Sequence, residues 1–127
     1  MTLLQASHVV LLGCSNGKAK TTQAQDNLDA LVKLLTSQYG AKVMIKPSIW
    51  LNQETGGHCP AELRADYLAK ALADSEVDWI MDLTGGDLAN QTLADLPQKF
   101  FQQLNRQKPV YYMGYSDNSV ILNACLA

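Results

Sequence analysis

Two stretches of this chain hold residues of the right type for acyl chemistry. One is Gly114-Tyr115-Ser116-Asp117. It breaks a short apolar, aromatic run (Val110 to Met113) and comes just before a helix-like apolar run from Val120. A serine on a sharp strand-to-helix turn is held out of a sheet as a nucleophile. The helix that follows points its N–H groups and positive dipole end back at that serine. The elbow pattern G-x-S-x-G is matched only in part, because Asn118 stands at its last position. Ser116-Asp117-Asn118-Ser119 also has the composition of an ordinary helix N-terminus, in which Ser116 or Asp117 caps free N–H groups. The local pattern leaves both readings open.

The second stretch is Thr84-Gly85-Gly86-Asp87, directly after the apolar segment Val77-Asp-Trp-Ile-Met-Asp82. A glycine pair where a strand gives way to a helix lets a backbone approach a ligand closely. The two stretches are joined by one strand–helix–strand unit of roughly thirty residues. In open α/β sheets, ligands gather at the carboxyl ends of strands, where both stretches fall.

The elements that would carry these turns alternate. His8 to Gly13 reads as a buried strand, continuous in apolar residues. Cys14 to Lys20 is a polar loop without phosphate-loop spacing. Leu28, Leu31, Val32, Leu34 and Leu35 recur at helical spacing over 22–39, and Gly40 is a stop. Ala41 to Lys46 reads as the second strand, and Pro47 to Cys59 as a long loop packed down by Trp50. Pro60 opens a helix to about Asp74, with Leu63, Tyr67, Leu68, Ala71 and Leu72 on one face. Val77 to Asp82 is the third strand. Short helices are expected over 89–96 and 98–107, divided at Pro97, and a fourth strand over Pro109 to Met113. The expectation is one α/β domain over 1–127, with a mostly parallel, Rossmann-like (class I glutamine amidotransferase-like) sheet flanked by helices.

Composition excludes several functions. The chain has 127 residues, 47% hydrophobic, enough for one domain with a real core. Ten basic residues against twelve acidic ones, with no basic cluster, argue against nucleic-acid binding. No apolar stretch is long enough to span a bilayer. Leu11-Leu12-Gly13-Cys14 resembles a lipoprotein cleavage box, but no basic residue precedes it and polar residues interrupt the apolar segment. A cytoplasmic location is therefore expected. Cys14, Cys59 and Cys125 have no C-x-x-C spacing, so reduced thiols and no metal site or cofactor are expected.

Three motifs together resemble one family, the LD-carboxypeptidases, which include the microcin C self-immunity peptidases. Glu62-Leu-Arg64-Ala-Asp66 is similar to the family's E-x-R-A-x-D-L helix start. Val77-Asp-Trp-Ile-Met with Gly85-Gly86 is similar to its strand and glycine loop. Gly114-Tyr-Ser116-Asp117 is similar to its nucleophile turn. The resemblance implies serine-dependent hydrolysis of an amide beside a D-centre or a free carboxylate. It makes Ser116 the nucleophile and the backbone N–H groups of Gly86 and Asp117 the oxyanion donors. It implies a small peptide substrate. Thr84 stands where the family usually carries arginine, and Asp87-Leu88 where an aromatic residue and another glycine are common.

In that family a second domain supplies a glutamate and a histidine. Serine is a weak nucleophile without a base in reach. Of the two histidines, His8 is expected at the wrong edge of the sheet; His58, in the loop after the second strand, is the possible base. Arg64 is expected to pair with an acidic residue on the helix surface, a contact of small value. Cys14 is expected as a small buried residue. Val120 to Ala127 is almost wholly apolar, with no glycine stop and no basic last turn. It is expected to be covered by a second copy or by a missing C-terminal domain, leaving this part inactive alone. Two other readings stand beside the peptidase. One is a non-catalytic homologue that self-associates or binds peptide. The other is a flavodoxin-like or amidotransferase-like domain holding an anion at Gly85-Gly86.

Overall fold

The computed structural model describes residues 5–104, 108–114 and 121. It is an α/β fold built on four parallel strands in the order β2-β1-β3-β4. β1 (His8–Leu12) lies inside the sheet, between β2 (Lys42–Ile45) and β3 (Trp79–Asp82). β4 (Tyr111–Met113) pairs with β3, Trp79 opposite Tyr111.

β1 is continuously apolar because both of its faces are covered. Val9 and Leu11 join a core cluster with Leu35, Ile49 and Met81. Val10 and Leu12 join another with Leu68, Leu72, Ile80 and Ile121. Helix α1 (Thr22–Tyr39) packs on the first face through Leu28, Leu31, Val32 and Leu35. Thr21 caps it, accepting the Ala24 N–H at 3.1 Å, a contact worth about 1 kcal/mol. Gly40, at φ 61°, closes it in the left-handed conformation. Leu34, expected on the buried stripe, is instead exposed, a turn away from the sheet.

α2 (Ala61–Ala73) and α3 (Ala89–Ala94) cover the second face, with α4 (Phe100–Gln103) beyond them. On α2 the core face is centred on Arg64, Ala65, Leu68, Ala71 and Leu72. Leu63, expected in that stripe, points outward at 44% exposure. Pro60, expected to open the helix, is instead its N-cap, and the helix begins at Ala61. The long loop after β2 opens with a 3₁₀ turn (Pro47–Ile49) that buries Ser48 and Ile49. Trp50 packs onto the α1 face, as expected. Apart from α1, which has its expected span, the strands and helices run a residue or more shorter than the periodicity suggests, most clearly α4, Phe100–Gln103 against an expected 98–107.

At the amino edge of the sheet, Asp78 ties three segments. It accepts the His8 N–H at 2.8 Å and pairs with Lys108 at 2.9 Å, while its carbonyl receives the Tyr111 N–H at 2.9 Å. Trp79 and Tyr111 stack above it, centroids 4.8 Å apart. No helix among the described residues is long and apolar enough to cross a membrane.

Candidate active site

Sheet order places the site. The chain leaves β1 toward α1 on one face and leaves β3 toward α3 on the other. Neighbouring strands whose connections diverge leave a crevice at their carboxyl ends. Here it lies between the loop after β1, Gly13 to Lys20, and the loop after β3, Leu83 to Leu88.

The two loops are laced together across this crevice. The Ser15 N–H donates to Thr84 Oγ1 at 3.2 Å, and the Leu88 N–H donates to Ser15 Oγ at 3.1 Å. The Asp87 N–H donates to Asn16 Oδ1 at 3.1 Å. Gly86 sits against that asparagine at φ 134°, and a Cβ there would lie 2.2 Å from Asn16 Cγ. Glycine is thus required twice over, for backbone angle and for contact. Gly86 is exposed, and its N–H meets no acceptor among the described residues. A fixed, unsatisfied backbone donor at a strand's carboxyl end can receive a developing negative charge.

Thr84, where an arginine was the family's habit, is fully buried. It works inward, its Oγ1 accepting from Ser15 and lying 3.4 Å from Asp82 Oδ1 as donor. It braces the two loops.

Beneath the loops lies a buried titratable cluster. Asp82 Oδ1 accepts the Cys14 N–H at 3.2 Å, and Oδ2 accepts the Tyr112 hydroxyl proton in a short hydrogen bond. Burial raises the Asp82 pKa above its ordinary value, against the lowering effect of the Tyr112 and Cys14 hydrogen bonds. Burial, with Cys14 and Asp82 alongside, pushes the Tyr112 hydroxyl far up. Burial and the neighbouring Asp82 also push the Cys14 thiol well up, so it stays protonated and is a poor nucleophile. That agrees with its reading as a small buried residue at 0% exposure. The cluster joins β1, β3 and β4 just before the chain reaches Gly114.

Arg64 corrects the surface-pair expectation. It is 2% exposed and makes no ion pair among the described residues. Its Nε donates to Thr92 Oγ1 at 2.9 Å, and Thr92 Oγ1 donates onward to the Cys14 carbonyl at 2.6 Å. One terminal nitrogen donates to the Leu88 carbonyl at 3.2 Å and the other, at close range, to the Cys59 carbonyl. A buried cation is tolerated when oxygen acceptors replace its water. These acceptors come from α3 and from the loops after β2 and β3, and Thr92 passes the contact on to the loop after β1, so one guanidinium ties all three loops together at the ligand edge. The spacing of Arg64 with Leu68 and Ala71 already placed it on the buried face. Asn16, Ser15 and Thr92 left no comparable mark in the sequence.

His58 lies on the ligand edge, but its Nδ1 accepts the Gly17 N–H at 3.0 Å. The neutral ring then carries its proton on Nε2 and is a donor there. This engagement works against His58 as the base, since its lone pair is taken. His8 stands at the amino end of β1, as expected. Ser116 and Asp117 lie outside the described residues. Among the described residues no group of side chains could hold a metal ion, and Cys14 and Cys59 are free thiols.

The family model for the LD-carboxypeptidase N-terminal domain matches residues 9–127. The chain belongs to this family. Solved structures agree on the fold. The microcin C7 self-immunity protein MccF, in complex with aspartyl sulfamoyl adenosine, is 20% identical with a TM-score of 0.71, covering 95% of this chain. An MccF-like protein from Streptococcus pneumoniae in complex with AMP is 19% identical, TM-score 0.69, over 95% of this chain. A muramoyltetrapeptide carboxypeptidase from Oxalobacter formigenes is 18% identical, TM-score 0.66, over 94%. This LD-carboxypeptidase domain covers 34%, 35% and 36% of those chains, about a third of their length. No curated protein matches the sequence.

Proposed function

We propose that this domain carries the nucleophile of a serine LD-carboxypeptidase. The reaction is hydrolysis of an amide beside a free carboxylate, in peptidoglycan peptides or microcin-like peptidyl conjugates. Ser116 attacks the carbonyl, and the N–H groups of Gly86 and Asp117 receive the oxyanion. The observation that carries this is the Gly86 backbone: pinned by Asn16, exposed, and with its N–H unspent. One such donor is worth about 3 kcal/mol in a transition state.

Neither histidine offers a free base at the Gly86 crevice. His8 is at the opposite edge, and the His58 lone pair is engaged by Gly17. The domain alone is therefore proposed to be inactive, with the base supplied from outside residues 1–127. Fluorophosphonate labelling followed by intact mass tests this, with Ser116→Ala as the control and circular dichroism to verify folding. No adduct on the folded chain is expected. An adduct that Ser116→Ala abolishes would overturn the inactivity.

One observation favours a second reading, a non-catalytic homologue that self-associates or binds peptide. β4 is an edge among the described strands, and Tyr111 and Met113 project from it at 41% and 50% exposure. Edge strands with exposed apolar side chains are templates for pairing.

A further inference from the structure

A second concave site lies on the other side of the loop after β1. Asn16 closes the Gly86 side of that loop, whereas Gly17 faces the loop after β2 through His58. Between the β1 loop, the β2 loop and the start of α2 is a cavity of about 490 Å³. That is a small-molecule volume.

Its walls are apolar and aromatic: Pro47, Trp50, Leu63 and Tyr67. Lys20 brings a positive charge to the lining, beside the uncharged polar side chains of Asn52, Gln53 and Thr55. Lys20 stands at the mouth with Nζ 5.7 Å from the Trp50 ring centroid, and no aspartate or glutamate lines the cavity. The neutral His58 ring, with Nδ1 accepting from Gly17, offers an Nε2–H as a second donor.

The wall is built in advance. The Lys18 N–H donates to the Ile49 carbonyl and the Leu51 N–H to the Lys18 carbonyl, each at 2.8 Å, so Trp50 is held between two loops. The Asn52 side chain accepts the Glu54 and Thr55 N–H groups at 2.8 and 3.0 Å, closing the loop on itself. Leu63 explains itself here: the leucine that leaves the core stripe of α2 forms part of this wall.

We propose that this cavity binds a small carboxylate with a planar or branched apolar body. One lysine and one neutral imidazole N–H suit a single negative charge, and two aromatic side chains with Pro47 and Leu63 suit the body. The site is separate from the Gly86 crevice and does not depend on peptidase activity.

Titrating the isotopically labelled 127-residue chain with hydrocinnamate, its neutral amide and acetate, followed by NMR, tests it. Hydrocinnamate is expected to shift the Trp50 indole N–H and the Gly17 and Leu63 amides. The neutral amide should bind about tenfold more weakly, and acetate should leave these signals in place. Lys20→Gln should weaken hydrocinnamate about tenfold without changing binding of the amide. Leu63→Glu, which puts a carboxylate in the wall at an exposed helix position, should abolish binding of both. Unmoved Trp50 and Gly17 signals would overturn the proposal. So would equal binding of hydrocinnamate and its amide, or acetate shifting the same signals equally. Spectra of both variants away from the cavity report whether the fold is kept.

Discussion

Arg64 Nε donates to Thr92 Oγ1 at 2.9 Å, and that same hydroxyl donates its proton to the Cys14 carbonyl at 2.6 Å. A cation on α2 thereby fixes the loop after β1 through a side chain on α3. Its remaining bonds reach the carbonyls of Leu88 and Cys59. The glycine loop, the first loop and the long second loop thus share one anchor.

Replacing Arg64 should be costly. Arg64→Met leaves the Leu88 and Cys59 carbonyls without their buried donor, and should lower stability by about 3 kcal/mol or more in urea unfolding. Arg64→Lys retains charge but not the fork, and should recover only part of that loss. A cost under about 1 kcal/mol for Arg64→Met would mean the side chain behaves as a surface charge.

Gly86 and Asn16 should be coupled. Gly86→Ala places a Cβ on the asparagine side chain at a backbone angle of φ 134°, and should cost about 1–3 kcal/mol. Asn16→Ala frees the space but loses the bond to the Asp87 N–H. In a double-mutant cycle the two losses should add to less than their sum by about 1 kcal/mol. Strict additivity would contradict the contact.

Asp78, just before β3, and Asp82, at its far end, should give opposite slopes of stability against pH. The Asp82 pKa is raised, chiefly by burial, so the folded chain holds a proton the unfolded chain has released. Its contribution is complete below the ordinary carboxylate range and is lost as pH rises through the raised value. Asp82→Asn should remove that decline. For Asp78, burial acts upward, but the Lys108 and His8 hydrogen bonds outweigh it and the pKa is lowered. Its contribution is present above the ordinary carboxylate value and is lost as pH falls through the lowered one. Asp78→Asn should flatten the acid side. Chemical denaturation would show the Asp82 effect on the mildly acidic side of the ordinary carboxylate range and the Asp78 effect on its strongly acidic side, and matching slopes in the two variants would refute the assignment.

If β4 is an interaction edge, the chain should exceed monomer mass in sedimentation, and Met113→Lys should return it to monomer. A charged residue on an exposed edge blocks pairing without touching the core. A monomer at all concentrations would remove the self-association reading and leave the peptidase reading untouched.

The alternation of strands and helices, the burial of β1 on both faces and the limits of α1 were all legible in the chain. Each follows from local pattern: a continuous apolar run, a 3.6-residue stripe and a glycine after the helix. The three motifs likewise pointed to the family that the match over residues 9–127 establishes. Leu34 and Leu63 fit the apolar stripes of α1 and α2 by hydrophobicity alone, and only the packing fixes which arc of each helix meets the sheet. Arg64 is the converse case: its charge suggests the surface, while its place between buried neighbours puts it inside.

What tertiary structure alone decided concerns pairs distant in sequence. Asn16 meets Asp87, Arg64 meets Thr92, His58 meets Gly17 and Tyr112 meets Asp82. None has a local periodic signature, because each depends on which strands are neighbours in the order β2-β1-β3-β4 and on which loops and side chains that order brings together. The chain's own residues specify which groups can donate and accept. Which lone pair is already spent, as on His58, and which N–H meets no acceptor among the described residues, as on Gly86, is settled only when the loops are brought together.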